Sequence, residues 1–229
     1  MSKGFFITGT DTGVGKTWFT VLLMRFLQEN GVLVNGMKPI ASGAEERSGR
    51  LVNEDATAIL AACASPLEYD EVNPFLYEPP VAPHIAADKA QKPIDTSRIM
   101  AAYDSLRSKS EYLVVEGVGG WRVPINHEQT LGYIAGLMQL PVILVVGLRL
   151  GCINHALLTA EAVRQDGLEL AGWAVSTLEK DYLYRDETLA TLEKGLNCPF
   201  LAEIPHCTGN SHDQAVLNIT SAGHDRLLC

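Results

Sequence analysis

Phe5-Phe6-Ile7-Thr8-Gly9-Thr10-Asp11-Thr12-Gly13-Val14-Gly15-Lys16-Thr17 is the stretch whose reading decides the fold. Phe5–Thr8 is short, apolar and β-prone. A helical pattern then runs from Lys16 to Asn30 and stops at Gly31, where a left-handed helix end calls for glycine. A loop between a strand and a helix start delivers free backbone N–H groups and the positive end of a helix dipole to one point, and that geometry suits an anion. Gly13 and Gly15 let the backbone wrap closely. Lys16 can neutralise the β- and γ-phosphates of a nucleotide, and the Thr17 hydroxyl can bind Mg²⁺. The widespread pattern G-x-x-x-x-G-K-[ST] is missed by one residue, because Thr10 stands where the first glycine belongs and Gly9 lies just before it.

Outward from this loop, short apolar runs alternate with helical ones. Strands are expected at Phe5–Thr8, Leu33–Lys38, Tyr112–Glu116, Val142–Val146, Leu170–Val175 and Phe200–Ile204. Helices are expected at Lys16–Asn30, Glu54–Cys63, Thr96–Ser108, Leu131–Leu140, Ile153–Gln165 and Tyr182–Lys194. Several strands are apolar nearly throughout, as strands covered on both faces are. The alternation predicts an α/β fold, a mainly parallel sheet flanked by helices. Asn73–Pro93 breaks the rhythm with five prolines and reads as an ordered loop excursion over the sheet, since it lacks the Ser/Gly-rich polarity of a linker. One domain over residues 1–229 is expected, with 208–229 left open.

Composition bounds the partners. The 229 residues are 47% hydrophobic and 20% charged, with a net charge of −9, which argues against a nucleic-acid or anionic-membrane surface as main partner. A few amides and two lysines still make a local positive pocket in an acidic chain. Five scattered cysteines without a C-x-x-C pair fit the reducing cytosol better than a disulfide framework or zinc site. The N-terminus runs straight into a strand with no leader signature, and no apolar run approaches the roughly 20 residues of a spanning helix. A cytoplasmic location is expected.

Two acids and a second lysine extend the candidate site. Glu116 ends Tyr112-Leu113-Val114-Val115-Glu116, where a buried strand's carboxyl end carries metal-binding carboxylates in nucleotide-hydrolysing folds; a salt-bridged Glu is the alternative. Asp55 reads equally as a helix-start acid or as a metal ligand. Lys38 closes the second strand and must reach either solvent or an anion; the neighbouring phosphate loop favours the anion. Ser42 and Gly43 follow in a turn able to hydrogen-bond a substrate. His84 reads as a packed loop histidine, and Gly151-Cys152-Ile153-Asn154 as a second helix N-terminus open to an anion.

These blocks together resemble the dethiobiotin synthetase family, a group of the P-loop NTPase-like fold. The resemblance rests on Gly9–Thr17, Lys38-Pro39-Ile40-Ala41-Ser42-Gly43, Pro83-His84-Ile85, Val115-Glu116-Gly117-Val118-Gly119-Gly120-Trp121, Pro141–Gly147 and Leu150-Gly151-Cys152-Ile153-Asn154-His155-Ala156, in the family's order. It implies a homodimer that joins 7,8-diaminononanoate, CO₂ and ATP into a cyclic urea through a phosphorylated carbamate. It implies Lys38, Lys16 and Thr12 as catalytic residues, and Thr17, Asp55 and Glu116 as Mg²⁺ ligands. Ser42 would bind the diamine, and Gly151, Cys152 and Asn154 would receive the substrate carboxylate across the subunit interface. Nucleotide contacts would come from Gly13, Val14, Gly15, Lys16, Thr17 and Trp18, from Asp55, Glu116, Gly117, Val118 and Gly119, and from Ser176, Thr177, Pro205, His206 and Cys207.

The chain departs from the family's pattern at the base. Many members carry Asn-Asp where this one has Ser176-Thr177, and His206-Cys207 replaces aromatic or aliphatic residues. ATP is expected, with weaker discrimination against other nucleoside triphosphates. A dimerising ATPase of the MinD/ParA kind would place a lysine at Asp11, and an aspartate cannot neutralise phosphate. A cobyrinate-amidating ligase would need a glutaminase domain for which 229 residues leave no space. A small-molecule kinase stays open on the loop alone.

Overall fold

A computed structural model describes residues 3–206 and 217–228. Strand β1 (Lys3–Gly9) leads into helix α1 (Lys16–Glu29) and strand β2 (Val34–Met37). Next come β3 (Ile40–Ser42), the β4–β5 hairpin (Glu45–Arg47 and Arg50–Val52), α2 (Glu54–Ala61), α3 (Tyr69–Val72), β6 (Phe75–Tyr77), α4 (Pro83–Lys89) and α5 (Thr96–Ser108). The second half alternates β7 (Tyr112–Gly120), α6 (Leu131–Met138), β8 (Val142–Leu148), α7 (Cys152–Gln165), β9 (Leu170–Thr177), α8 (Arg185–Leu196) and β10 (Phe200–Ile204). It closes with β11 (Asn218–Ile219) and α9 (Ser221–Leu228).

The main sheet has the order β2-β7-β1-β8-β9-β10-β11, parallel except where β11 runs against β10. Period-two alternation sorts β1 between two cores. Phe6 faces the side covered by Leu131 and Ile134 of α6 and Ala156 of α7, while Phe5 and Ile7 face Phe19, Leu23 and Leu27 of α1. Full burial of each such side chain contributes about 1.5–3 kcal/mol. Strand register does the positioning that matters for function. Ile7 pairs with Glu116 and Met37 with Val115, so the residue after Met37, Lys38, emerges beside Glu116.

All six expected sheet strands form, and β7 runs on to Gly120. Two expectations need correcting. The proline-rich stretch is not a plain loop: Phe75–Tyr77 pairs in parallel with Ile40–Ser42, and Pro83 opens α4 at the first helical position, where the missing N–H costs nothing. Helix α8 starts at Arg185, three residues later than expected, because Tyr184 adopts the left-handed region at φ 54°. Residues 217–228, left open by the sequence, hold the antiparallel edge strand and the last helix.

Candidate active site

The phosphate loop and the carboxyl ends of β9 and β10 line one cleft of about 760 Å³, together with Lys38 after β2 and Val118 and Gly119 of β7. Gly13 and Gly15 adopt φ of 72° and 88°, a region glycine enters without steric cost. A Cβ on Gly15 would lie 2.6 Å from Ser176 Oγ. Val14 is fully buried between them and, unlike its neighbours, is not among the residues lining the cleft. Lys16 Nζ donates to the Asp11 carbonyl oxygen at 2.7 Å. Burial pushes the Lys16 ammonium down to about 8, and the Lys38 cation adds to the effect; an anion nearby would favour the charged form.

Asp11 anchors the loop from its other side. Its carboxylate accepts from the Thr12 N–H at 2.7 Å and from the Arg149 guanidinium, 138 positions along the chain. The Thr12 N–H first and Arg149 after it hold the carboxyl below its usual range, against the opposing effect of burial. The position that excludes a partitioning-ATPase lysine therefore has a structural task here, tying the phosphate loop to the turn before α7.

Lys38 forms the centre of the site. Its backbone is pinned by Val72 O at 2.9 Å and by Asn73 Nδ2 at 2.6 Å. Its ammonium donates to Glu116 Oε1 at 2.6 Å, Asp55 Oδ2 at 3.0 Å and the Gly117 carbonyl at 3.2 Å. Burial opposes that charge, but Glu116 and then Asp55 outweigh it and hold the ammonium above the usual lysine range. Burial likewise works against the Asp55 carboxylate, and the Lys38 cation outweighs it, so Asp55 lies below its usual range. Thr17 Oγ1 donates to Glu116 Oε1 at 2.9 Å.

Glu116, Asp55 and Thr17 also fit a hard divalent cation. They are oxygen donors converging beside the phosphate loop, in the number that Mg²⁺ takes when substrate phosphates supply the rest. The Glu116 Oε2 atom is buried and has no hydrogen-bond partner among the described residues, a costly state for a carboxylate unless a cation meets it.

Ser42, Val118 and Gly119 line the same cleft, and Ser176, Thr177, Pro205 and His206 line it too. Trp18 sits at the loop's edge. Cys207 lies outside the described residues. Gly151, Cys152 and Asn154 do not line this cleft. They form the start of α7, where Gly151 has φ 94° and Cys152 is buried. His84 is not in the cleft lining either; it stands edge-on to His127, ring centres 6.4 Å apart.

Three contributors escaped the sequence. Asn53 caps α2 by accepting from the Ala56 N–H at 3.2 Å and donates to the Ser42 carbonyl, also at 3.2 Å. It thereby joins the head of the Asp55 helix to the Ser42 turn, and an Asn just before a helical run was a readable cap signal. Residues 80–83 wall the cleft, a role that the proline-rich stretch does not announce, and Arg149 holds Asp11 with no local signature.

Residues 3–212 match the protein family described as an AAA domain. The ATP-dependent dethiobiotin synthetase BioD of Aromatoleum aromaticum is 42% identical over 96% of this chain and 98% of its own length. That of Cellvibrio japonicus is 43% identical over 93% of each. Among solved structures, a ParA family ATPase from Chlorobium tepidum superposes with a TM-score of 0.55 at 14% identity, covering 90% of this chain and 84% of that one. MinD of Aquifex aeolicus gives 0.53 at 14%, over 89% and 82%. These two likenesses concern the fold, which is that of P-loop nucleotide-hydrolysing proteins.

Proposed function

From the premise that this chain belongs to the dethiobiotin synthetase family, we propose how its own residues divide the work of closing a cyclic urea. The enzyme is an ATP-dependent cyclo-ligase of biotin biosynthesis. One amine of 7,8-diaminononanoate takes up CO₂ as a carbamate, and the γ-phosphoryl group of ATP moves to a carbamate oxygen. The second amine then attacks the carbonyl carbon and phosphate leaves, giving dethiobiotin.

Such chemistry asks for positioning and charge stabilisation more than for a strong acid–base pair. Lys16 and the loop amides from Gly13 to Thr17 hold the phosphates. Lys38 meets the carbamate oxygens and stabilises charge on the transferring group, with Thr12 and Ser42 orienting the carbamate and diamine. Thr17, Asp55 and Glu116 would hold Mg²⁺, which would supply charge neutralisation at the phosphates. The base lies toward Ser176, Thr177, Pro205 and His206.

The substrate carboxylate is received at the start of α7, around Gly151, Cys152 and Asn154, of a second copy in a homodimer, where the Cys152 N–H already donates to the Arg149 carbonyl at 3.1 Å and the next amides of the first turn face outward from the helix end. Two facts favour this: the start of α7 lies outside its own chain's cleft, and Leu150 and Leu158 beside it are 96% and 56% exposed. A cytoplasmic setting fits ATP use and the free thiols of Cys63, Cys152 and Cys198.

The observation that carries this assignment of roles is the Lys38 ammonium, buried 2.6 Å from Glu116 in the cleft that also holds the phosphate loop. The test is phosphate release by purified protein with ATP, Mg²⁺ and bicarbonate, with and without the diamine. Release is expected to depend on the diamine, with dethiobiotin detected by mass spectrometry. Release indifferent to the diamine, with no dethiobiotin, would overturn the reading.

A further inference from the structure

One phenol ties together three backbone segments that carry the site: the end of β2 at Lys38, the turn at Ser42 and the head of α2 beside Asp55. Tyr69, the first residue of α3, is buried, and its hydroxyl accepts from the Asn53 N–H at 2.8 Å. A phenol has a single proton, and here it goes to Asn73 Oδ1 at 3.3 Å. The Asn73 amide is thereby fixed in direction. Its oxygen faces the hydroxyl, and its nitrogen donates to the carbonyls of Lys38 at 2.6 Å and Phe75 at 3.2 Å; a flipped amide would set an acceptor against two acceptors. On the other side, Asn53 donates to the Ser42 and Gly43 carbonyls at 3.2 and 3.3 Å, and its own side-chain oxygen caps α2. Burial holds the Tyr69 phenol above its usual range, so the proton stays in place at neutral pH.

We propose that Tyr69 is a positioning residue for ring closure. Neither Tyr69 nor Asn73 lines the cleft, so the hydroxyl acts only through the groups it holds. It sets the end of β2 against the head of α2, and so fixes where the Lys38 ammonium stands, 3.0 Å from Asp55 and 2.6 Å from Glu116. Charge stabilisation depends steeply on such placement: a shift of about 1 Å caused by a change away from the chemistry costs on the order of a hundredfold in rate. The inference rests on the reading of Lys38 as the group that meets the carbamate.

The test starts from Tyr69→Phe, which removes one oxygen and keeps the ring that the Arg50 guanidinium covers, 4.9 Å from its centre. Its kcat is expected to fall about tenfold or more. The Kd for ATP without metal, measured by titration calorimetry, is expected to stay within about twofold, because the phosphate loop is outside the network. In a Lys38→Met background the same change is expected to alter kcat by less than about twofold, since residues that act through one another are not additive. A purely structural loss would instead lower the active fraction equally in both backgrounds. Asn73→Ser, too short to reach both the Tyr69 hydroxyl and the Lys38 carbonyl, cuts the same line at its next link and is expected to give the same pattern.

An unchanged kcat in Tyr69→Phe, or in Asn73→Ser where Tyr69→Phe does not fold, overturns the proposal, and so do equal losses in the two backgrounds. Failure of both variants to fold with ATP and Mg²⁺ present also overturns it, because the network would then serve the fold alone. Phosphate release and dethiobiotin formation are followed in parallel. A Lys38-dependent effect of Tyr69→Phe on phosphate release, in a protein that forms no dethiobiotin, condemns the ring-closing reading alone; dethiobiotin formed at full rate by Tyr69→Phe condemns the positioning role alone.

Discussion

Replacing Lys38 by methionine is expected to lower kcat about a thousandfold while leaving the KM for ATP within a few-fold of its starting value. The lysine touches no residue of the phosphate loop in the described hydrogen bonds; its partners are Glu116, Asp55 and Gly117. Its loss is therefore expected to remove charge stabilisation at the carbamate rather than ATP affinity. Methionine keeps the apolar stem, which is needed because Lys38 is only 2% exposed. Removing one partner of a buried ion pair costs about 3 kcal/mol, since the remaining charge is left unpaired. That cost should show in urea unfolding without divalent cation and shrink when Mg²⁺ is added, because Asp55 and Glu116 can then share the metal. A variant with near-normal kcat would remove Lys38 from the mechanism.

The second large effect is expected from Glu116→Gln. This change keeps the side chain's shape but removes the charge that Thr17 and Lys38 both address. We expect kcat to fall about a hundredfold or more, and the Mg²⁺ concentration giving half-maximal activity to rise at least about tenfold. The two effects separate on titration. If the metal role is correct, raising Mg²⁺ recovers part of the loss; if Glu116 serves only to hold Lys38, added Mg²⁺ recovers none. An unshifted Mg²⁺ requirement therefore takes Glu116 out of the metal site.

The parts of the site that rest on local signals could be read from the chain, and those that rest on long-range pairing could not. The phosphate loop announces itself through Gly13, Gly15, Lys16 and Thr17 between a strand and a helix. Lys38 and Glu116 are predictable as strand-end residues because parallel strands deliver their carboxyl ends to one edge, and the register of β2 on β7 brings them together. The Arg149–Asp11 and Thr177–Glu203 contacts join residues 138 and 26 positions apart, with no pattern in either segment to signal them. Pro83 misled because proline punctuates loops and also opens helices, and only the tertiary position of α4 decides between the two. Likewise, apolar periodicity gave no warning that Tyr184 would turn left-handed and delay α8.

The central claim is that the phosphate loop delivers the γ-phosphoryl group to a carbamate oxygen beside Lys38. The most direct measurement uses CO₂ labelled with ¹⁸O, ATP, Mg²⁺ and the diamine, with mass analysis of the inorganic phosphate released. If the carbamate oxygen is phosphorylated and then leaves with the phosphoryl group, each phosphate carries one oxygen derived from CO₂ and the urea carbonyl of dethiobiotin keeps the other. Phosphate free of label, released alongside dethiobiotin, would mean that ring closure does not pass through a phosphorylated carbamate, and would contradict the account.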